Sequence, residues 1–144
     1  MIRTKGLNFK YNDQASFSFP DINLGKDENL LIIGSSGIGK TTLLHLLAGL
    51  LESNSGSINL YGQDISKLTQ HQIDKFRGQN IGIVFQKPHF VNSLTVKENL
   101  QLAQYLGNKK DQNRIIDILS SLDILNKENK RPKKLSQGEK QRAS

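Results

Sequence analysis

Leu30-Leu31-Ile32-Ile33-Gly34-Ser35-Ser36-Gly37-Ile38-Gly39-Lys40-Thr41-Thr42 is the stretch that decides the fold. Its first four residues form a continuous aliphatic run, the signature of a strand covered on both faces. Its last residues open a helix, Lys40 to Leu50, whose Leu43, Leu46, Leu47 and Leu50 fall on one face. Between them, Gly34 to Thr41 fits G-x-x-x-x-G-K-[ST], the P-loop pattern. Glycines there open backbone conformations closed to other residues, so that consecutive N–H groups converge on a phosphate at a helix N-terminus. Lys40 supplies a point charge for the outer phosphates, and the Thr41 hydroxyl is the expected Mg²⁺ ligand. A plain Gly-rich turn from strand to helix is the alternative. The strand before the match and the helix after it favour phosphate binding.

Outward from this loop, strand and helix signals alternate. Leu7, Phe9 and Tyr11 alternate with polar residues and Phe17 and Phe19 repeat that period, which predicts short antiparallel strands at the N-terminus. Glu28 to Ile33 is a predicted strand of a parallel sheet, Ser57 to Tyr61 another strand, Gln70 to Arg77 a short helix and Ile81 to Phe85 a second buried strand. Val96 to Leu106 and Asn113 to Leu122 read as amphipathic helices, and a further helix starts near Ser136. The fold class is therefore α/β.

Composition narrows the field. A globule of 144 residues buries roughly 68–70% of its unfolded-chain surface, and 35% hydrophobic residues with 12 Gly is ordinary globular usage. The absence of Cys excludes a disulfide scaffold, a thiolate metal site and a Cys nucleophile. No apolar run approaches the ~18 residues of a membrane span, and Met1 to Lys10 is too polar for a signal peptide, which places the chain in the cytoplasm. Residues 1–72 carry 6 basic and 6 acidic side chains and residues 73–144 carry 14 and 7, so the whole net charge of +7 lies in the second half. Its densest part, Lys127, Lys130, Arg131, Lys133 and Lys134 against Glu128, reads as a solvated inter-helix linker. Without interleaved aromatics it offers no stacking platform, and no nucleic-acid partner is expected.

Leu135-Ser136-Gln137-Gly138-Glu139, continued by Lys140-Gln141-Arg142, resembles the signature motif of ATP-binding cassette (ABC) ATPases, usually Leu-Ser-Gly-Gly-Gln followed by a Gln-Arg pair. Gln137 stands for a Gly and Glu139 for a Gln, while Ser136 and Gly138 are retained. Ser136 and Glu139 also form an S-x-x-E capping box, which starts a helix with its N–H groups and positive dipole end toward an anion. The resemblance implies an incomplete ABC-type P-loop NTPase that binds ATP and Mg²⁺. Its nucleotide would be held by Gly34, Ser35, Ser36, Gly37, Ile38, Gly39, Lys40, Thr41 and Thr42. Ser136 and Gly138 would contact the γ-phosphate of ATP held by a partner subunit. Gln86, after the strand Ile81 to Phe85, falls at the Q-loop position, where the family's Gln meets Mg²⁺ and the attacking water. The implied catalytic residues are thus Gln86 and Lys40, and the metal ligands Thr41 and Gln86. Tyr11 matches the aromatic that stacks on adenine, with packing of the ring as its rival reading. Leu94-Thr95-Val96-Lys97-Glu98-Asn99 and Arg77 to Gln86 are most similar to the lipoprotein-releasing and macrolide-exporting subfamily.

The family's domains continue past the signature with a Walker B strand ending in Asp-Glu, a D-loop and a switch His. None of these lies within 1–144, and His45, His71 and His89 do not occupy the switch position. The expected reading is therefore the N-terminal part of a transporter ATPase, truncated after the signature and inactive alone: 1–95 as nucleotide-binding core, 96–144 as helical subdomain. The implied partners are transmembrane transporter subunits and a second nucleotide-binding domain in a homodimer or oligomer, at the inner face of the cell membrane. Rival classes fare worse. Asn108-Lys109-Lys110-Asp111 matches N-K-x-D of GTPases but lacks a preceding apolar strand and a D-x-x-G, and reads as an inter-helix turn. ABC-type ATPases of DNA repair or chromosome maintenance with coiled-coil arms place a very long insertion between Gln86 and the signature, whereas Leu135 follows Gln86 by 49 residues, and those with zinc modules need Cys, which is absent. A non-catalytic nucleotide-binding fragment is the remaining alternative.

Overall fold

The computed structural model describes residues 1–12 and 15–144. They form two compact units, Met1–Asp74 and Lys75–Ser144.

The first unit is organised by β1 (Ile2–Asn12), which pairs antiparallel with β2 (Ala15–Ser18), β3 (Asn23–Leu24) and β4 (Ser55–Leu60); β4 in turn pairs with β5 (Gln63–Asp64). Thr4, Leu7 and Phe9 are buried, a spacing of three followed by two that no regular strand can place on one face. The register between β1 and β4 shifts between Lys5 and Asn8. Gly6, at φ 58, takes up the extra residue, as expected of a bulge that restores the inward phase. Opposite it, a Cβ on Gly56 would lie 2.5 Å from the Gly6 carbonyl oxygen, so the strands approach this closely only because residue 56 is glycine. Ile58 and Leu60 complete the buried face of the sheet.

Helix α1 (Lys40–Leu47) buries Thr42, Leu43, Leu46 and Leu47. It ends three residues before the expected Leu50, because Gly49 N–H donates to the Leu46 carbonyl and Leu50 N–H to that of His45, which closes the helix as a Schellman cap. The two predicted parallel strands are a correction. Neither Glu28 to Ile33 nor Ile81 to Phe85 belongs to a ladder among the described residues. A parallel strand is held only by neighbours, and none of the described strands flanks either segment. Leu30, Leu31 and Ile33 are accordingly exposed.

The unit boundary falls within α2 (Gln70–Asn80). The second unit contains α3 (Val96–Leu106), α4 (Gln112–Ser121) and α5 (Gln137–Arg142). Val96, Ile115, Leu119, Ile124, Leu135 and Ala143 form its core, with Phe90, Leu100 and Leu122 packed on it. Leu135 and Ala143 flank α5, so this short helix is anchored at both ends. The Asn108 to Asp111 stretch is the predicted inter-helix turn. Asn108, at φ 53, closes α3, and the Asp111 side chain caps α4 by accepting from Arg114 N–H at 2.9 Å.

Candidate functional site

The Gly34 to Thr42 loop lies at the head of α1. Gly37 and Gly39 sit at φ 84 and 98, a region that L side chains rarely adopt, and Gly39 is the helix N-cap with no side-chain capping bond. The first N–H groups of α1 therefore have neither an intrahelical acceptor nor a cap. Gly39 has a second constraint: a Cβ there would lie 2.7 Å from the Phe17 ring. Lys40 Nζ donates to the carbonyl oxygens of Gly34 and Ser35 at 2.8 and 2.7 Å. The ammonium is thus drawn back over the loop, with one of its three donors left for an anion. Thr41 and residues 34–38 are exposed, while Thr42 is buried.

Tyr11 joins this group through its hydroxyl, 3.1 Å from Thr42 Oγ1. Its ring meets Phe9 edge-on at 4.7 Å and Phe17 at 6.2 Å, yet remains 55% exposed. The structure therefore brings together Tyr11 and the loop residues Gly34, Ser35, Ser36, Gly37, Ile38, Gly39, Lys40, Thr41 and Thr42 in the first unit. Gln86, Ser136 and Gly138 belong to the second unit.

Gln86 is exposed at a bend. The segment after it is tied to α3 by Asn99, whose side-chain oxygen accepts from Val91 N–H at 2.9 Å and whose amide donates to the Val91 and Thr95 carbonyls at 3.2 and 2.8 Å. Thr95 and Glu98 form a full capping box at the start of α3. The same S/T-x-x-E rule that marks Ser136 finds this box in sequence. The Asn99 clamp leaves no such pattern, because its partners are backbone atoms. The first two N–H groups of α3 donate to the Lys130 and Glu128 carbonyls, and Lys97 Nζ lies 3.1 Å from Glu128. One helix start thus holds both the segment after Gln86 and the linker that leads to Ser136.

Ser136 caps α5 as expected: its hydroxyl accepts from Glu139 N–H at 3.2 Å, and Glu139 Oε2 accepts from Ser136 N–H at 2.7 Å. Gly138 is open: a Cβ there would meet nothing nearer than the Arg142 guanidinium, at 3.9 Å. Glu139 also pairs with Lys127 at 3.1 Å. The Ser136 backbone N–H, then the Lys127 ammonium, lower its carboxyl from the ordinary 4.5 to about 2. A carboxyl depressed in the folded state contributes stability above its ordinary pKa and loses it as pH falls toward the depressed one. The first turn of α5 is therefore expected to loosen only between about pH 4.5 and pH 2. An NMR pH titration of the Glu139 side chain checks this; a midpoint near 4.5 would show the box and ion pair to be absent in solution.

The ABC transporter family model matches residues 19–144. The chain is 34% identical over 143 residues to the bacitracin export ATP-binding protein of Halalkalibacterium halodurans, covering 97% of this chain and 56% of that protein. It is 30% identical over 147 residues to the lipoprotein-releasing system ATP-binding protein of Bacteroides thetaiotaomicron, covering 100% of this chain and 67% of that one. Among solved structures, a dimeric ATP-binding cassette bound to ADP and Pi superposes with a TM-score of 0.90 at 24% identity, over 99% of this chain and 66% of that one. A dimeric bacterial ABC transporter cassette gives 0.89 at 25% identity, over the same shares. The chain thus spans between 56% and 67% of the length of these relatives.

Proposed function

The chain belongs to the ABC transporter family, and from that membership we propose that it is the ATP-binding part of a transporter ATPase, coupling ATP binding and hydrolysis to movement of a substrate through transmembrane partners. The observation that carries this reading is the seat of Lys40: an ammonium held over two loop carbonyls, at the uncapped head of a helix, beside two left-handed glycines. That arrangement suits a polyphosphate and leaves little role for a neutral ligand.

Gly34 to Thr42 bind the phosphates, Tyr11 offers its exposed ring to adenine, and Lys40 and Gln86 serve the reaction. The donor set fits Mg²⁺. Among the described residues no group of three or more His, Cys, Asp or Glu could cage a cation, but Mg²⁺ on a nucleotide takes most of its ligands from phosphate and water. The exposed Thr41 hydroxyl, with Gln86, would be the protein's share, and the ion would neutralise charge on the outer phosphates. Ser136 and Gly138 serve the nucleotide of a second copy. Residues 1–95 form the nucleotide-binding core in this reading, and 96–144 the helical subdomain. The working place is the cytoplasmic face of a membrane; no helix among the described residues is long and apolar enough to cross one. The names of the bacitracin-exporting and lipoprotein-releasing relatives favour export or extraction as the direction.

The test separates binding from turnover. The 144-residue chain is expected to bind MgATP and to release phosphate no faster than background, since the Asp-Glu carboxylates and switch His that the family uses are not among its residues. Phosphate release well above background and abolished by Lys40→Ala would overturn the second expectation and leave the first standing. No binding of MgATP by the folded chain would overturn the reading itself.

A further inference from the structure

We propose that the Tyr11 hydroxyl is a positioning group for phosphate binding, acting through Thr42, and that this role is separate from any contact its ring makes with a base. The proposal rests on the reading of Gly34 to Thr42 as a nucleotide loop and adds a residue to its working parts.

Thr42 lies in the first turn of α1 and is 5% exposed. A threonine hydroxyl carries one hydrogen and two lone pairs. In a helix, left alone, it turns its hydrogen back to a carbonyl three or four residues earlier. Among the described residues the hydroxyl's partner is instead Tyr11, at 3.1 Å. Either hydroxyl can donate at this separation; we take the more acidic phenol of Tyr11 as the donor and the aliphatic Thr42 hydroxyl as the acceptor. The Thr42 hydrogen is then not spent on Tyr11 and is available, in the first turn of α1, to an acceptor such as a phosphate oxygen. An acceptor there would otherwise have to recruit a hydroxyl that is free to rotate.

Tyr11 is suited to this task because its ring is fixed. Phe9 stands edge-on to it at 4.7 Å and Phe17 at 6.2 Å, and Phe17 itself lies against Gly39 in the loop. Strand β1, the aromatic group and the loop thus form one assembly in the first unit. Removing only the hydroxyl leaves the ring and its packing in place, which makes Tyr11→Phe a clean probe.

The test uses magnesium tripolyphosphate, which has phosphates but no base, beside MgATP, each titrated by calorimetry into wild type, Tyr11→Phe, Thr42→Val and the double variant. Tyr11→Phe is expected to weaken both ligands by the same factor, about two- to tenfold, the range for one net hydrogen bond. In the Thr42→Val background the further change to Phe should have no effect on either ligand, since Tyr11 acts only through that hydroxyl. Unchanged tripolyphosphate affinity in Tyr11→Phe, or full additivity in the double variant, overturns the proposal. A wild type that binds MgATP but not tripolyphosphate also overturns it. A wild type that binds neither overturns the nucleotide reading beneath it, an outcome distinct from the others.

Discussion

Replacing Lys40 by alanine is expected to weaken MgATP binding by about tenfold or more, since a hydrogen bond to a charged group contributes roughly 1.5–3 kcal/mol. Two effects act in the same direction. The substitution deletes the one positive charge that the loop brings to the phosphates. It also releases the Gly34 and Ser35 carbonyls, which Lys40 Nζ holds at 2.8 and 2.7 Å, and leaves two negative dipole ends facing a polyanion. Folding should be little affected, because the side-chain hydrogen bonds of Lys40 go to the loop while Leu43, Leu46 and Leu47 do the burying in α1. Calorimetric titration of both proteins measures the difference, with amide exchange at Leu46 as the check on folding. Equal affinities in two well-folded proteins would reject Lys40 as a phosphate ligand.

Self-association that rises with concentration is the second large effect expected. Leu31 and Ile33 are 80% and 82% exposed, and Val84 in the other apolar segment is 71% exposed. Neither segment has a ladder among the described residues. Backbone groups beside an exposed aliphatic run pair readily with another chain. Amides of Leu30 to Ile33 should therefore exchange fast at low concentration, while Thr4 and Ile58, registered in the ladder between β1 and β4, stay protected. Light scattering should show the mean mass climbing with concentration. Leu31→Lys combined with Ile33→Lys should keep the chain monomeric, because charge on an exposed edge opposes pairing. A monodisperse monomer with strong protection at Leu30 to Ile33 would contradict this.

These segments also mark where sequence reading stops. The run Leu30 to Ile33 states a preference for burial, and only the chain around it determines whether a partner is present to satisfy that preference. By contrast, signals that are local in the chain were legible. Val96 to Leu106 is helical over the expected span, the Ser136 to Glu139 box forms with both bonds, and Asn108 to Asp111 is a turn for the reasons its residue types supply. The bulge at Gly6 was not legible, since a lone glycine in a strand has several uses and only the register with β4 selects one. The site divides in the same way. Gly34 to Thr41 is a contiguous pattern and could be read directly. The bond from Tyr11 to Thr42 spans 31 residues and depends on a β1 register that itself shifts between Lys10 and Asn12. Lys127 meeting Glu139 depends likewise on how the basic linker turns over α5.

The pairing of Ile2 with Leu60 carries a consequence for the order of folding. β1 is synthesised before β4, yet its longest ladder cannot form until β4 has emerged, and closing so long a loop costs entropy before any contact rewards it. The P-loop lies inside that closure. Its geometry leans on Phe17, whose strand is registered on Phe9 of β1, so the proposed phosphate site inherits the timing of the sheet. The helical unit closes shorter spans, its widest backbone link running from Val96 N–H to the Lys130 carbonyl, so its wait is shorter.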